Sequence, residues 1–297
     1  GGRVFPESDK ATDVRNAFID TYRKLGGQLH LEESVKDLIV RDGAITGVIT
    51  DKGTYECDAA IIATGGMSYP LTGSTGDGYE LASSVGHSIV ELRPSLIPLE
   101  TKEHWVKDLM GLSLKNVEVS IIAKNKVQTK QFGEMLFAHF GVTGPIILSA
   151  SHTVTKLLKK KVDPITIEIN LKPALTKEVL DKRVQRDFSE SQNKQLVNVL
   201  KGLLPSKLIP VICQLAELEG TKAIHDITKE ERLRLVDTIQ HMRLTVHKPR
   251  PIAEAIVTAG GISVKEVDPK TMQSKLVQGL YMAGEVLDID ALTGGYN

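Results

Sequence analysis

Two short apolar stretches that both end in glycine constrain this 297-residue chain more than any other feature. Ala59-Ala60-Ile61-Ile62-Ala63 runs into Thr64-Gly65-Gly66, and Leu280-Tyr281-Met282-Ala283 runs into Gly284-Glu285. The first is brief and wholly apolar, the pattern of a strand buried on both faces, and the second repeats its logic. Glycine at a strand's end lets the backbone approach another group closely, because no Cβ intervenes. With most of the chain lying between them, the two strands predict one α/β domain split by an insertion.

The flanks fit that division. Ser8 is a candidate cap for a helix from Asp9, and Val14, Ala17, Phe18, Thr21, Tyr22 and Leu25 recur at helical spacing until Gly26-Gly27. Alternation around Leu29 and Leu31, then over 35–40 and 45–50, punctuated by Asp42-Gly43 and Lys52-Gly53, predicts a three-stranded meander. A short helix over 79–85 should close at Gly86. The character changes after Pro94: strands are expected near 117–122, 134–140 and 165–171, then helices over 177–187, 193–203, 209–218 and 229–240. This gives a first part at 1–94, an inserted domain of β-barrel-like strands and helices at 95–245, and a returning part at 246–297.

Charge excludes little by itself. Lys and Arg total 37, as do Asp and Glu, so no overall field draws the chain to nucleic acid or an anionic bilayer, and neither partner is expected. Cys57 and Cys213 lie far apart in no metal-like spacing and read as buried thiols in a reducing compartment. There is no apolar leader at the first residues and no run of about 18 apolar residues, so the expected location is the cytoplasm. No metal-ligand cluster, P-loop, G-x-S-x-G elbow or Ser-His-Asp order appears. Lys159-Lys160-Lys161 reads as a solvated helix end.

No G-x-G-x-x-G fingerprint occurs either, since Gly73-Ser74-Thr75-Gly76-Asp77-Gly78 has other spacing and follows a loop. The chain opens on glycines without a methionine and closes where a helix should start, so both ends are expected to be cut. Five motifs nevertheless occur in a telling order: Gly2-Arg3-Val4-Phe5-Pro6 with Ser8-Asp9-Lys10-Ala11; Ala63-Thr64-Gly65-Gly66; Gly73 to Tyr79; Leu136-Phe137-Ala138-His139-Phe140-Gly141-Val142-Thr143-Gly144-Pro145; and Gly284-Glu285-Val286-Leu287-Asp288 with Thr293-Gly294-Gly295-Tyr296-Asn297. Across essentially the whole chain this resembles the BaiN/RdsA-type flavoproteins, a family of NAD(P)/FAD-dependent oxidoreductases. The resemblance implies a split FAD-binding Rossmann-like domain, FAD as cofactor and NAD(P)H as electron donor.

Roles follow for particular residues. Thr64, Gly65 and Gly66 would bring backbone amides to a pyrophosphate or ribityl chain. Gly294, Gly295, Tyr296 and Asn297 stand where a helix N-terminus should begin, whose free amides favour negative charge on a reduced flavin. Gly284, Glu285 and Asp288 are candidates for the ribityl hydroxyls, Glu285 above the other acids, with capping as the competing role for the carboxylates. The resemblance suggests backbone contacts from Val35 to the adenine. Arg3 and His139 are the candidates near substrate, as an anion anchor and a proton shuttle; against them stand a surface ion pair and a structural histidine. An unsaturated keto-compound is the expected small-molecule acceptor. Amine or aminoketone oxidation, FAD-dependent RNA modification and a non-catalytic interaction module are the alternatives.

Overall fold

In the computed structural model, residues 4–291 are described. Helix α1 (Ala11–Lys24) has Lys10 as its N-cap, without a side-chain bond. Ser8 does not cap it, because Asp9 lies in the left-handed region (φ 53°) and turns the chain before the helix begins. Its end follows the sequence: the Gly26 and Gly27 amides bond to Arg23 O and Tyr22 O, the paired bonds of a Schellman cap. Val14, Phe18 and Tyr22 share one face, yet α1 buries none of its residues.

The meander is β1 (Val35–Arg41), β2 (Ala44–Thr50) and β3 (Thr54–Glu56), side by side in that order. Leu29 and Leu31 form no strand and are exposed. The segment before β1 is held instead by Glu33, which accepts from Thr50 Oγ1 (2.7 Å) and the Tyr55 hydroxyl (2.8 Å). Strand β4 (Ala60–Ile62), helix α2 (Asp77–Ser84) and β5 (Ile89–Ser95) complete the first part.

A closed barrel follows. It contains β6 (Leu99–Thr101), β7 (Ser113–Ala123), β8 (Lys126–Ala138), β9 (Gly141–Thr143), then after helix α3 (Pro145–Lys159) β10 (Ile165–Asn170), and after helices α4 (Lys177–Ser189), α5 (Leu196–Val199), α6 (Ile209–Leu215) and α7 (Lys229–Gln240) β11 (Met242–Pro249). Around the barrel the order is β10-β11-β6-β9-β8-β7, and β7 pairs back onto β10. Alternate residues point inward, as the pleat requires: Val117, Val119 and Ile121; Ile165, Ile167 and Ile169; Met242, Leu244 and Val246. The α7 start is a capping box between Thr228 and Glu231.

The chain then returns as β12 (Val257–Ile262), antiparallel to β5, and β13 (Leu280–Met282), parallel to β4. A second core, separate from the barrel's, gathers Ile62, Tyr79, Leu81, Ile262, Leu280, Met282 and Val286. Strand β4 departs from expectation. Ile62 is buried but Ile61 is 66% exposed, because among the described residues β4 pairs with β13 alone and is covered on one face. Cys213 is buried, whereas Cys57 is only half-buried. No helix among the described residues is long and apolar enough to cross a membrane.

Candidate cofactor site at the strand ends

Parallel pairing of β4 with β13 sets their C-terminal ends side by side, so Thr64-Gly65-Gly66 and Gly284-Glu285 emerge at one edge. The Ala283 amide donates to Ile62 O (3.0 Å), locking the two exits together. Gly65 and Gly284 both take left-handed backbone (φ 76° and 80°), which side chains resist. Among the described residues, Gly284's own chain neighbours aside, no atom lies within 4 Å of where a Cβ would stand at Gly284, and the residue is exposed. That point of the edge is open to a ligand.

Gly66 is different. A Cβ there would collide with Thr258 of β12, so its lack of a side chain serves packing inside the protein. Thr258, fully buried, organises this corner: its Oγ1 accepts from the Met67 amide (2.8 Å) and lies 3.0 Å from Ser68 Oγ. Its own amide donates to Glu285 Oε1 (2.5 Å). Glu285, the acid favoured for the cofactor, therefore commits one carboxylate oxygen to the backbone of β12. Truncating it orphans a buried N–H, so Glu285→Ala should cost roughly 1–3 kcal/mol, read as a lower urea midpoint at unchanged slope. An unchanged midpoint would show that the carboxylate serves no structural role.

Helix α2 presents two faces. Gly78 packs so closely on Thr64 that a Cβ would overlap its hydroxyl, and Tyr79 lies in the strand-end core. Thr64 Oγ1 and the Tyr79 hydroxyl are both buried and have no hydrogen-bond partner among the described residues, an omission that proteins rarely leave unexplained. Burial, followed by the charge of Glu285, pushes the Tyr79 phenol up to about 12. It stays protonated and can act only as a neutral polar group near neutral pH. The other face, Asp77, Glu80, Leu81 and Ser84, lines a groove of about 400 Å³ with Val35 and Asp37 of β1. Val35 thus shares a groove with three carboxylates and the Lys36 ammonium.

Asp288 donates its amide to Ile262 O (2.9 Å) and is half-buried. Two residues on, Asp290 Oδ2 meets His152 Nδ1 of α3 at 2.9 Å and accepts from Ser95 Oγ at 3.2 Å. Burial holds the His152 imidazole below its ordinary value; Asp290 opposes this, while Lys156 and Arg93 add to it. A histidine lowered in this way takes its proton more readily when unfolded, so its share of stability is complete above about pH 6.5 and declines as the pH falls below that. Carboxylates held low, such as Glu33, Asp181 and Glu266, act in a more acid window, below about 4.5. The urea midpoint should therefore drop between pH 7.5 and 5.5, and drop less in His152→Asn. Equal drops would remove His152 as the cause.

His139 occupies the β8–β9 turn, exposed and edge-on to Phe140 (centroids 5.0 Å apart). Arg250 lies over Phe140 at 4.7 Å and forks onto Glu254, whose carboxyl is held low by Arg250 first and feels His139 as well. The neighbouring Ala253 carbonyl accepts from the Tyr69 amide (3.2 Å), so the turn at 252–254 joins His139's surroundings to the loop that follows the β4 glycines. Arg3, Gly294, Gly295, Tyr296 and Asn297 lie outside the described residues. The structure thus brings Thr64, Gly65, Gly66, Gly284 and Glu285 together and sets Val35 and His139 on separate flanks.

Sequence reasoning missed Thr258, Tyr79 and His152. The only available signal for Thr258 was its place in a further strand segment that carries Gly260-Gly261. It also missed a Ser-His-Glu contact, in which His87 lies 2.8 Å from Ser274 Oγ and 3.2 Å from Glu266. Ser274 is buried and its Oγ accepts from the amides of Leu276 and Val277, so this contact caps a turn and offers no nucleophile.

The profile of the HI0933-like protein Rossmann domain matches residues 1–297. The chain is 26% identical over 305 residues to a 3-dehydro-bile acid delta(4,6)-reductase of Clostridium scindens, covering all of this chain and 72% of that protein. It is 30% identical over 279 residues to a ribosomal RNA dihydrouridine synthase of Haemophilus influenzae, covering 92% of this chain and 66% of that one. Among solved structures, quinol fumarate reductase FrdA of Escherichia coli aligns with 93% of this chain and 42% of its own at 15% identity, with a TM-score of 0.38, too distant to carry detail across. With its profile match spanning every residue and its glycine strands arranged as described, the chain belongs to the HI0933-like Rossmann family of FAD-dependent oxidoreductases.

Proposed function

We propose that the protein takes hydride from NAD(P)H through FAD and delivers it to a carbon–carbon double bond conjugated to a carbonyl. The observation that carries the cofactor half is the open, left-handed Gly284 beside Gly65 at the shared end of two parallel strands. The two unpartnered hydroxyls beside it, on Thr64 and Tyr79, fit a polar cofactor that supplies what the protein leaves unsatisfied. The Val35 groove, lined by Asp37, Asp77 and Glu80 with Lys36 beside them, suits hydrogen-bond donors such as ribose hydroxyls or an adenine amino group. Bound FAD would supply the two-electron chemistry; the chain orients it and manages protons. Glu285 is held by Thr258, so the exposed His139 imidazole is our candidate for the proton that accompanies hydride.

The acceptor class rests on the two relatives. A 3-oxo-4,6-diene and the uracil ring share one feature, an alkene activated by a carbonyl. An RNA substrate has one observation of its own in support. The zero net charge is a sum of opposites: residues 95–250 carry 25 Lys and Arg against 17 Asp and Glu, and the remainder carries 12 against 20. A basic inserted barrel on an acidic Rossmann-like base is the distribution that a polyanion would meet.

Anaerobic titration of the full-length protein tests the reading: it should be yellow, bleach with NADPH or NADH, and recover colour on adding an enone. Recovery only with an RNA transcript, with binding that weakens steeply as salt rises, selects the RNA substrate. Oxygen consumption driven by amines and no response to an enone or RNA would replace reductase by oxidase. A colourless protein that takes up no FAD would end the proposal.

A further inference from the structure

Arg93, Ser95, His152 and Asp290 meet at one point although they come from three parts of the chain. Arg93 and Ser95 are two apart on β5 and so share a face. His152 lies on α3, which packs against the barrel, and Asp290 lies on the segment that leaves β13. The Asp290 carboxylate is the hub: Oδ2 faces His152 Nδ1 at 2.9 Å and Ser95 Oγ at 3.2 Å, and Oδ1 faces Arg93 at 3.8 Å. Ser95 has no exposed surface, so the group is no hydrolytic triad. Every contact there points to holding a carboxylate in place.

Two further bonds show what is being held. Ser151, next to His152, accepts from the Ile97 amide (2.9 Å), so α3 is docked where the chain crosses from β5 to β6. At the other side, Asp288 N donates to Ile262 O, which fixes the β13 exit segment against the end of β12. Asp290 is the second anchor of that same segment. Its course away from Gly284 is therefore set at one point by the Rossmann-like part and at another by a helix of the barrel.

Resting on the flavin reading, we propose that His152 is a positioning residue for the cofactor edge: by gripping Asp290 it couples the placement of α3 to the path of the chain leaving β13. The imidazole needs only an N–H at the Nδ1 position, since Ser95 supplies a second donor and Arg93 a nearby positive charge. Asparagine can place an amide N–H near that position, and leucine cannot.

The test uses full-length protein loaded with FAD, and reads FAD affinity by fluorescence quenching and the bound flavin by visible circular dichroism. His152→Leu and Asp290→Asn should each weaken FAD by about tenfold and change the visible spectrum, and the double variant should be no worse than either, as members of one unit behave. His152→Asn should stay within about twofold of the parent in affinity and keep its spectrum. Parental affinity and spectrum in both His152→Leu and Asp290→Asn would overturn the inference even if both melt earlier, because the cluster would then be purely structural. His152→Asn behaving as badly as leucine would also overturn it, by removing the N–H as the cause. If His152→Leu fails to fold, Asp290→Asn and His152→Asn decide on the same two readouts. A parent protein that takes up no FAD sinks the flavin reading itself, a result distinct from variants that bind as the parent does.

Discussion

Gly284→Val should empty the protein of flavin while leaving it folded. The two effects separate because of what surrounds the residue. A side chain at φ 80° costs roughly 1–2 kcal/mol in backbone strain, and among the described residues beyond its chain neighbours nothing lies within 4 Å of the new Cβ. The thermal midpoint should therefore fall by only a few degrees, at about 2–4 °C per kcal/mol for a chain of this order of size. For a ligand lying along the open edge, the branched side chain occupies the space where backbone was exposed. Affinity should drop at least about 100-fold, equivalent to about 2.7 kcal/mol, measured by flavin retained on gel filtration and by titration. Stoichiometric flavin in the variant would place the cofactor elsewhere. Gly66→Ala is the informative contrast: its Cβ meets Thr258, so it should damage the fold as well as the site.

Phe137→Ala should have the largest effect on stability. Phe137 is wholly buried within the barrel core, beside Trp105 at a centroid distance of 6.4 Å, and its removal leaves a cavity costing about 3–5 kcal/mol. Trp105 is the chain's one tryptophan, so its fluorescence reports this core and no other. Because the strand-end core shares no residue with the barrel core, the two should unfold in separable steps. In urea, the Trp105 transition should move to lower denaturant while release of bound flavin follows its own curve. A single transition shifted equally for both probes would show that the cores are one cooperative unit.

The sequence showed some features plainly and concealed others for identifiable reasons. Helix α7 was readable over its whole length because Lys229 to Gln240 keeps strict apolar spacing after a Thr-x-x-Glu cap. The glycine-ended strands were readable because glycine acts locally, on its own φ. Barrel-like strands were expected, but not how they close, since β6 and β9 are three-residue strands and β6 closes the barrel against β11, far along the chain. Of helix α3 only the end at Lys159 was read, because Pro145 to Lys159 is rich in Ile, Ser, Thr and Val, residues that weaken any local helix signal, and packing settles the matter. Within the site, Gly66 and Glu285 resembled cofactor ligands in sequence, but their contacts with Thr258 come from a strand nearly 200 residues from Gly66, beyond any local pattern.

The register of β5 against β12 has a consequence for how the barrel is joined to the rest of the chain. Ser95 stands opposite Val257, so the chain departs into the barrel and comes home from it on neighbouring strands, about 5 Å apart. A tight turn would bridge that gap. The barrel is thus joined through the backbone as a long loop would be, and the grip of His152 on Asp290 adds a side-chain tie between that loop and the segment leaving β13.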